Sequence, residues 1–177
     1  MRTEQVTVSP YDPGWPKDFE EIKQELTAAL GPLALHIEHV GSTAVPGLAA
    51  KPIIDIDIVI EDSSRLPSVI TALSSLGYSY EGDLGIADRE AFSYQGKEHL
   101  CTHHLYVCPQ YSAELRRHLL FRDYLRDHPQ TAAEYGALKQ RAAALFPQDI
   151  DSYCNYKAPC IEKIYADIAA LWSSTEK

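Results

Sequence analysis

The sequence predicts an α+β fold, a mixed β-sheet followed by a C-terminal helical cap, and three observations carry that expectation. The run KPIIDIDIVI alternates branched and acidic residues with the two-residue period of a strand. Before about residue 110, helix-like and strand-like segments alternate. Beyond it, apolar residues recur only at helical spacing. A sheet core over about 1–110 and a helical part over 111–172 follow, packed as a single domain spanning 1–177.

The elements come in this order. PYDPGWP (Pro10 to Pro16) is a turn-rich entry to a helix over about 17–30, where Phe19, Ile22, Leu26, Ala29 and Leu30 share a face until Gly31-Pro32 ends it. LALHIEHV reads as a strand leading into Gly41-Ser42. In the next strand Ile54, Ile56, Ile58 and Ile60 share one face, and Asp55 and Asp57 the other. A helix over about 64–76 stops at Gly77. GYSYEG and EAFSYQG are short strands, and CTHHLYVC is expected to close the sheet. Helices over 111–127, 130–145 and 150–172 follow, parted at His128-Pro129 and Phe146-Pro147. The last has an apolar stripe of Cys160, Ile161, Ile164, Ile168, Leu171 and Trp172.

The bulk properties narrow the function. A chain of 177 residues with 45% hydrophobic content can build a real core. A formal charge of −9, from 16 basic and 25 acidic side chains, works against sequence-independent binding to DNA, which needs clustered cations. It also disfavours an anionic membrane surface, and no apolar run is long enough to span a bilayer. The first residues have no apolar stretch of the signal-peptide kind, and the four cysteines form no CxxC pair. A cytoplasmic chain with reduced thiols is expected. A small anionic ligand remains compatible with the acidity, because a metal ion or a local cluster of donors can hold it.

His39 to Ile60, HVGSTAVPGLAAKPIIDIDIVI, is the segment with chemistry in it. A strand runs into Gly-Ser, a loop follows, and a second strand presents Asp-x-Asp. Glycine lets backbone approach a phosphate closely, and the amides and hydroxyl around Ser42 can donate to its oxygens. Two carboxylates on one strand face suit a hard cation, Mg²⁺ or Mn²⁺, which would neutralise phosphate charge. An ion pair with Lys51 or an arginine would explain the same two aspartates structurally.

Gly41-Ser42 followed by Asp55 and Asp57 resembles the signature of the nucleotidyltransferase superfamily. More narrowly, HVGSTAVPGLAAKPIIDI, HHLYV, LLFRDYLRDHP and EYGALKQ resemble the GrpB (UPF0157) family over about residues 5–170. The resemblance implies a nucleotidyltransferase-like fold and, for Gly41, Ser42, Asp55 and Asp57, a triphosphate-and-metal role. It also implies a second histidine where this chain has Tyr106.

Alternation places His104 and Tyr106 on the aspartate face, with Leu105 and Val107 in the core. His104 is therefore the candidate third group, as metal partner, base or phosphate contact. Lys51 could reach a phosphate. Arg122 is expected to face the cleft, and Tyr153 with Lys157, four apart on one helix face, could hold a base or a phosphate. His39 reads as a core histidine. Cys101, His103, His104 and Cys108 point to opposite faces and do not form a tetrahedral zinc set. No GxxxxGK[ST] and no G-x-S-x-G occurs.

The expected function is a metal-dependent nucleotidyltransferase-like protein acting on a nucleoside triphosphate and a hydroxyl or phosphate acceptor. The alternative is a non-catalytic domain that binds a nucleotide or anion, or serves protein interaction. Its partner would be a small nucleotide or another phosphate-bearing ligand, without DNA or membrane.

Overall fold

The sheet is built outward from strand β2 (Ile54–Ile60). The structure, a computed structural model, describes residues 5–175, with side chains as far as Leu171. β2 pairs antiparallel with β1 (His36–Val40) and parallel with β5 (His103–Pro109). β4 (Glu90–Tyr94) runs antiparallel beside β5, and β3 (Tyr78–Gly82) antiparallel beside β4. The result is a five-stranded mixed sheet in the order β1-β2-β5-β4-β3. The expectation that CTHHLYVC closes the sheet is thereby corrected. β5 lies at the centre, where strands on both sides pair its backbone, and the hairpin β3–β4 takes the edge. Tyr80, 43% exposed on β3, fits an edge and not a centre.

Ile54, Ile56, Ile58 and Ile60 are 0–1% exposed, and Leu105 and Val107 of β5 continue their face. Two helices cover it. α1 (Trp15–Leu30) brings Trp15, Phe19, Ile22, Leu26 and Leu30, and α2 (Leu66–Ser75) brings Val69 and Leu73. These recur every three or four residues, so each helix turns one stripe onto the isoleucines.

The helical part covers much of the opposite face. α3 (Ala113–Asp127) begins at Ser112, whose Oγ accepts the Leu115 amide, and Leu115 packs on Val59 and Cys108. α4 (Pro129–Leu145) and α5 (Ile150–Thr175) join it in a second core with Val45, Leu48, Leu125, Tyr135 and Ile164. In α5, Ile164 and Ile168 are buried and Cys160 and Ile161 pack beside them, whereas Leu171 is 48% exposed. The Trp172 side chain lies outside the described residues. Gly136 brings α4 in close, since a Cβ there would sit 3.3 Å from Leu48 Cδ1 and 3.4 Å from the Ala49 amide nitrogen. That approach aims the next turn of α4, with Lys139, at the loop after β1. No helix among the described residues is long and apolar enough to cross a membrane.

Ile56→Ala is expected to cost about 2–5 kcal/mol in urea unfolding, the range for emptying a core site that cannot collapse. A cost of a few tenths would mean that this face is not the core.

Candidate functional site

β1 ends at Val40, and Gly41 then turns the chain at φ 71° and ψ −168°, a conformation open to glycine alone. A Cβ on Gly41 would lie 2.2 Å from Asp55 Oδ2, so the absent side chain is what admits the carboxylate against the backbone. A short 3₁₀ turn over Ser42–Ala44 follows. It is pinned from beneath: His39 Nε2 lies 2.9 Å from Thr43 Oγ1, which donates in turn to the Ile53 carbonyl at 3.3 Å. A hydroxyl that spends its proton on Ile53 must accept from the imidazole, so His39 carries its hydrogen on Nε2. Burial pushes its pKa down to about 4, and its ring stacks on Phe19 at 4.7 Å. His39 is the neutral core histidine that the sequence suggests.

Ser42, Lys51, Asp55, His104, Lys139, Tyr153 and Lys157 are among the residues lining one cavity of about 220 Å³ beside this turn. The β2–β5 register sets Asp55 directly against His104, and Oδ1 of Asp55 takes the His104 Nδ1–H at 2.9 Å. On the other wall Lys139 is 2% exposed, with Nζ 2.8 Å from Ser42 Oγ and 4.5 Å from the centre of the Tyr135 ring. Burial first, then the positive charge of Lys157, lower the Lys139 pKa to about 7; Asp55 opposes them, and Lys51 adds a smaller push downward. Burial also lowers Lys157, whose ammonium lies over the Tyr153 ring at 4.8 Å. Among the described residues none of these three lysines has a carboxylate within 4 Å. Cations held this way favour an incoming anion.

Asp57 shares the face of Asp55 but not its exposure. It is fully buried, and its Oδ2 accepts the His118 Nδ1–H from α3 at 2.7 Å. His118 Nε2 meets Glu114 Oε1 at 3.3 Å. Burial raises the Asp57 pKa against the pull of His118. Burial works against a charged His118 too, but the bond to Asp57 and the charges of Asp57, Glu114 and Asp55 outweigh it and raise its pKa. Asp57 Oδ1 is buried without a hydrogen-bond partner, an arrangement that costs on the order of 1–3 kcal/mol unless a cation or donor meets it.

The donors therefore fit a hard cation of the Mg²⁺ type, which takes one or two carboxylates and completes its shell from ligand phosphates and water. They do not make a self-sufficient metal cage: among the described residues no group of three or more His, Cys, Asp or Glu side chains is so arranged.

The structure thus brings Gly41, Ser42, Lys51, Asp55, His104 and Lys157 to one place and sets Asp57 immediately behind them. Two expectations need correction. Arg122 does not face the cavity. Its side chain is 12% exposed, and the guanidinium clamps α3 to β1, donating to Glu38 Oε2 at 2.7 Å, to the His39 carbonyl at 3.1 Å and to its neighbour Asp123. Glu38 opposes Asp57 across the β1–β2 ladder, so an arginine reaching the aspartate face from α3 meets that acid first. Tyr153 does line the cavity, as expected, but at 1% exposure it supports Lys157 and offers no ring face on which a base could stack. Tyr106, where a second histidine is expected, lies under the Arg89 guanidinium at 4.5 Å.

Lys139 and His118 were not singled out by sequence. Lys139 does have a signal: it falls on the stripe Tyr135, Gly136, Ala142 and Ala143, where a buried lysine is costly without a purpose.

Residues 5–167 match the sequence profile described as GrpB protein. The chain belongs to the GrpB family. It is 39% identical over 152 residues to the UPF0157 protein YqkA of Bacillus subtilis, covering 86% of this chain and 44% of YqkA. The chain thus spans less than half the length of that relative. The solved structure of the conserved protein GrpB from Enterococcus faecalis is 37% identical with a TM-score of 0.82, covering 94% of this chain and 99% of that one. A more distant likeness, at 13% identity and a TM-score of 0.51, is to the Cid1 poly(U) polymerase bound to MgGTP, covering 75% of this chain and 42% of Cid1. That likeness shows a nucleotidyltransferase-type fold for this GrpB family member.

Gly41→Ala should displace Asp55 and strain the turn, costing about 1–3 kcal/mol in urea unfolding. A near-neutral result would remove the close approach of Asp55 from the account. For Lys139, whose pKa falls from 10.5 in the free side chain to about 7 in the fold, the unfolded chain binds the extra proton between those values. Lys139→Met should therefore stabilise the unliganded protein most below pH 7, by up to several kcal/mol in order of magnitude. The gain should fade as pH rises towards 10. A gain independent of pH would show that Lys139 is not buried as an isolated cation.

Proposed function

We propose that this GrpB family member is a metal-dependent nucleotidyltransferase-like protein that acts on a nucleoside triphosphate and a hydroxyl or phosphate acceptor. The observation that carries the reading is the gathering of Lys51, Lys139, Lys157 and Ser42 around one cavity whose far wall is Asp55. A volume of about 220 Å³ suits a phosphate chain with the nucleoside projecting outward. Cid1, a polymerase of the same fold, is described as bound to MgGTP, which supports a nucleotide as the ligand class.

Each residue has work to do in this reading. Lys51, Lys139 and Lys157 neutralise the phosphates, and Ser42 donates to a phosphate oxygen. Asp55 and Asp57 hold the cation, which when bound draws negative charge off the transferred group. Asp55 Oδ1, by accepting Nδ1–H of His104, leaves Nε2 of that ring with its lone pair available to take the proton of an attacking hydroxyl. A cytoplasmic setting goes with the reading, since Cys101, Cys108, Cys154 and Cys160 are all free thiols.

One observation favours a second reading, a non-catalytic nucleotide- or anion-binding domain. Asp57 lies fully buried behind the cavity lining with His118 on its Oδ2, so only its Oδ1 is left to meet a cation. Steady release of pyrophosphate with some acceptor separates the two readings.

Thermal shifts of the wild type and Asp55→Asn with each nucleoside triphosphate, in Mg²⁺, Mn²⁺ or EDTA, test the binding claim first. A ligand at a hundred times its Kd should add about 2.7 kcal/mol. The expected result is a shift that needs metal and triphosphate together and is lost in Asp55→Asn. No shift in any combination would falsify the reading.

A further inference from the structure

We propose that entry of a phosphate chain into this cavity is coupled to protonation of Lys139: the empty pocket disfavours the charged side chain, and the anion brings a proton with it. This rests on the reading of the cavity as a phosphate site and adds a proton to its ligand.

The geometry behind it is a crowding of positive charge. Lys139 projects from α4 into a space faced by Ser42 from the 3₁₀ turn, by Lys51 and Asp55 from the sheet side, by His104 from β5, and by Tyr153 and Lys157 from α5. Its own helix contributes the Tyr135 ring beneath it. Asp55 is the sole carboxylate of that set, and its Oδ1 is already engaged by His104. Three amines thus share one partly committed carboxylate, and Lys139 is the most enclosed of them at 2% exposure. The site lowers its own repulsion by leaving an amine neutral, and burial selects Lys139. Its pKa of about 7 agrees with that arrangement.

The contact with Ser42 gives the proton a second consequence. A neutral amine can accept as well as donate, so the Ser42 hydroxyl, with its Oγ 2.8 Å from Nζ, is free to turn its own hydrogen onto the amine and away from the cavity. A protonated amine can only donate, so Nζ–H to Ser42 Oγ becomes the sole arrangement of that contact. The serine hydrogen is then free for a phosphate oxygen. One proton thereby supplies a charge at Lys139 and commits the Ser42 hydroxyl to donating to the ligand. An anion entering the pocket replaces the missing counter-charge and raises the proton affinity of Lys139, so each favours the other.

Isothermal titration of the full chain with inorganic tripolyphosphate and Mg²⁺, in buffers of differing ionisation enthalpy, reads the proton directly. Taking a free-state pKa of about 7, the wild type should take up about half a proton per ligand at pH 7 and close to one at pH 8. These values are over and above the ligand's own proton change in the same buffers. Lys139→Arg, permanently charged, should bind without that uptake. Lys157→Arg should retain it. In the wild type alone, affinity should fall by about an order of magnitude between pH 7 and 8.5, so a poorly folded variant does not stall the test. Tight binding with no wild-type uptake beyond the ligand's own, or uptake that vanishes in Lys157→Arg and persists in Lys139→Arg, overturns the inference and leaves the phosphate site standing. No binding at any pH overturns both.

Discussion

Burial of one face of β2 is the constraint from which the site follows. Ile54, Ile56, Ile58 and Ile60 are driven under α1 and α2, and the two-residue period of a strand leaves Asp55 and Asp57 no choice but the other face. A slip of one residue would bury two carboxylates among aliphatic side chains, far costlier than any local adjustment. The register to β5 then delivers His104 opposite Asp55, and the register to β1 delivers Glu38 opposite Asp57. Acid and imidazole meet because hydrophobic burial elsewhere fixes where each strand can lie.

What the sheet provides is acidic and what the helical part provides is largely basic. Lys139 and Lys157 arrive on α4 and α5, while Arg122 and Arg126 on α3 reach back to carbonyls at the end of β1 and in the 3₁₀ turn. The two sets divide by partner. The arginines find carboxylates or backbone oxygens and fasten the helical part in place, whereas the cavity lysines do not. That division separates cations that hold the fold together from cations left over for something else.

The parts legible in the sequence are those governed by local periodicity. The strand from Ile54 to Ile60, the faces of Asp55 and His104, and the apolar stripe of α1 all follow from a spacing of two or about three and a half residues. The central place of β5 is not local, because which strands pair is settled by the packing of the whole sheet. His118 and Lys139 escaped for a related reason: each sits on a helix, and periodicity gives its face but not the strand residue it will meet across the fold. The expectation that Arg122 faces the cleft fails on the same grounds, since nothing near it in sequence announces Glu38. Resemblance carried Gly41-Ser42, and the structure adds the reason for the glycine, a carboxylate lying where its side chain would be.

Ser42 and Lys139 are 97 residues apart in the chain, and the cavity they share exists only when the helical part has docked on the sheet. A small molecule gripping both would act as a reversible staple across that long loop, closing it in the native state and contributing nothing to the unfolded one. Its effect would fall mainly on the rate at which the helices peel away. Occupancy of the pocket would thus lengthen the life of the folded chain against proteolysis, whatever chemistry the pocket performs.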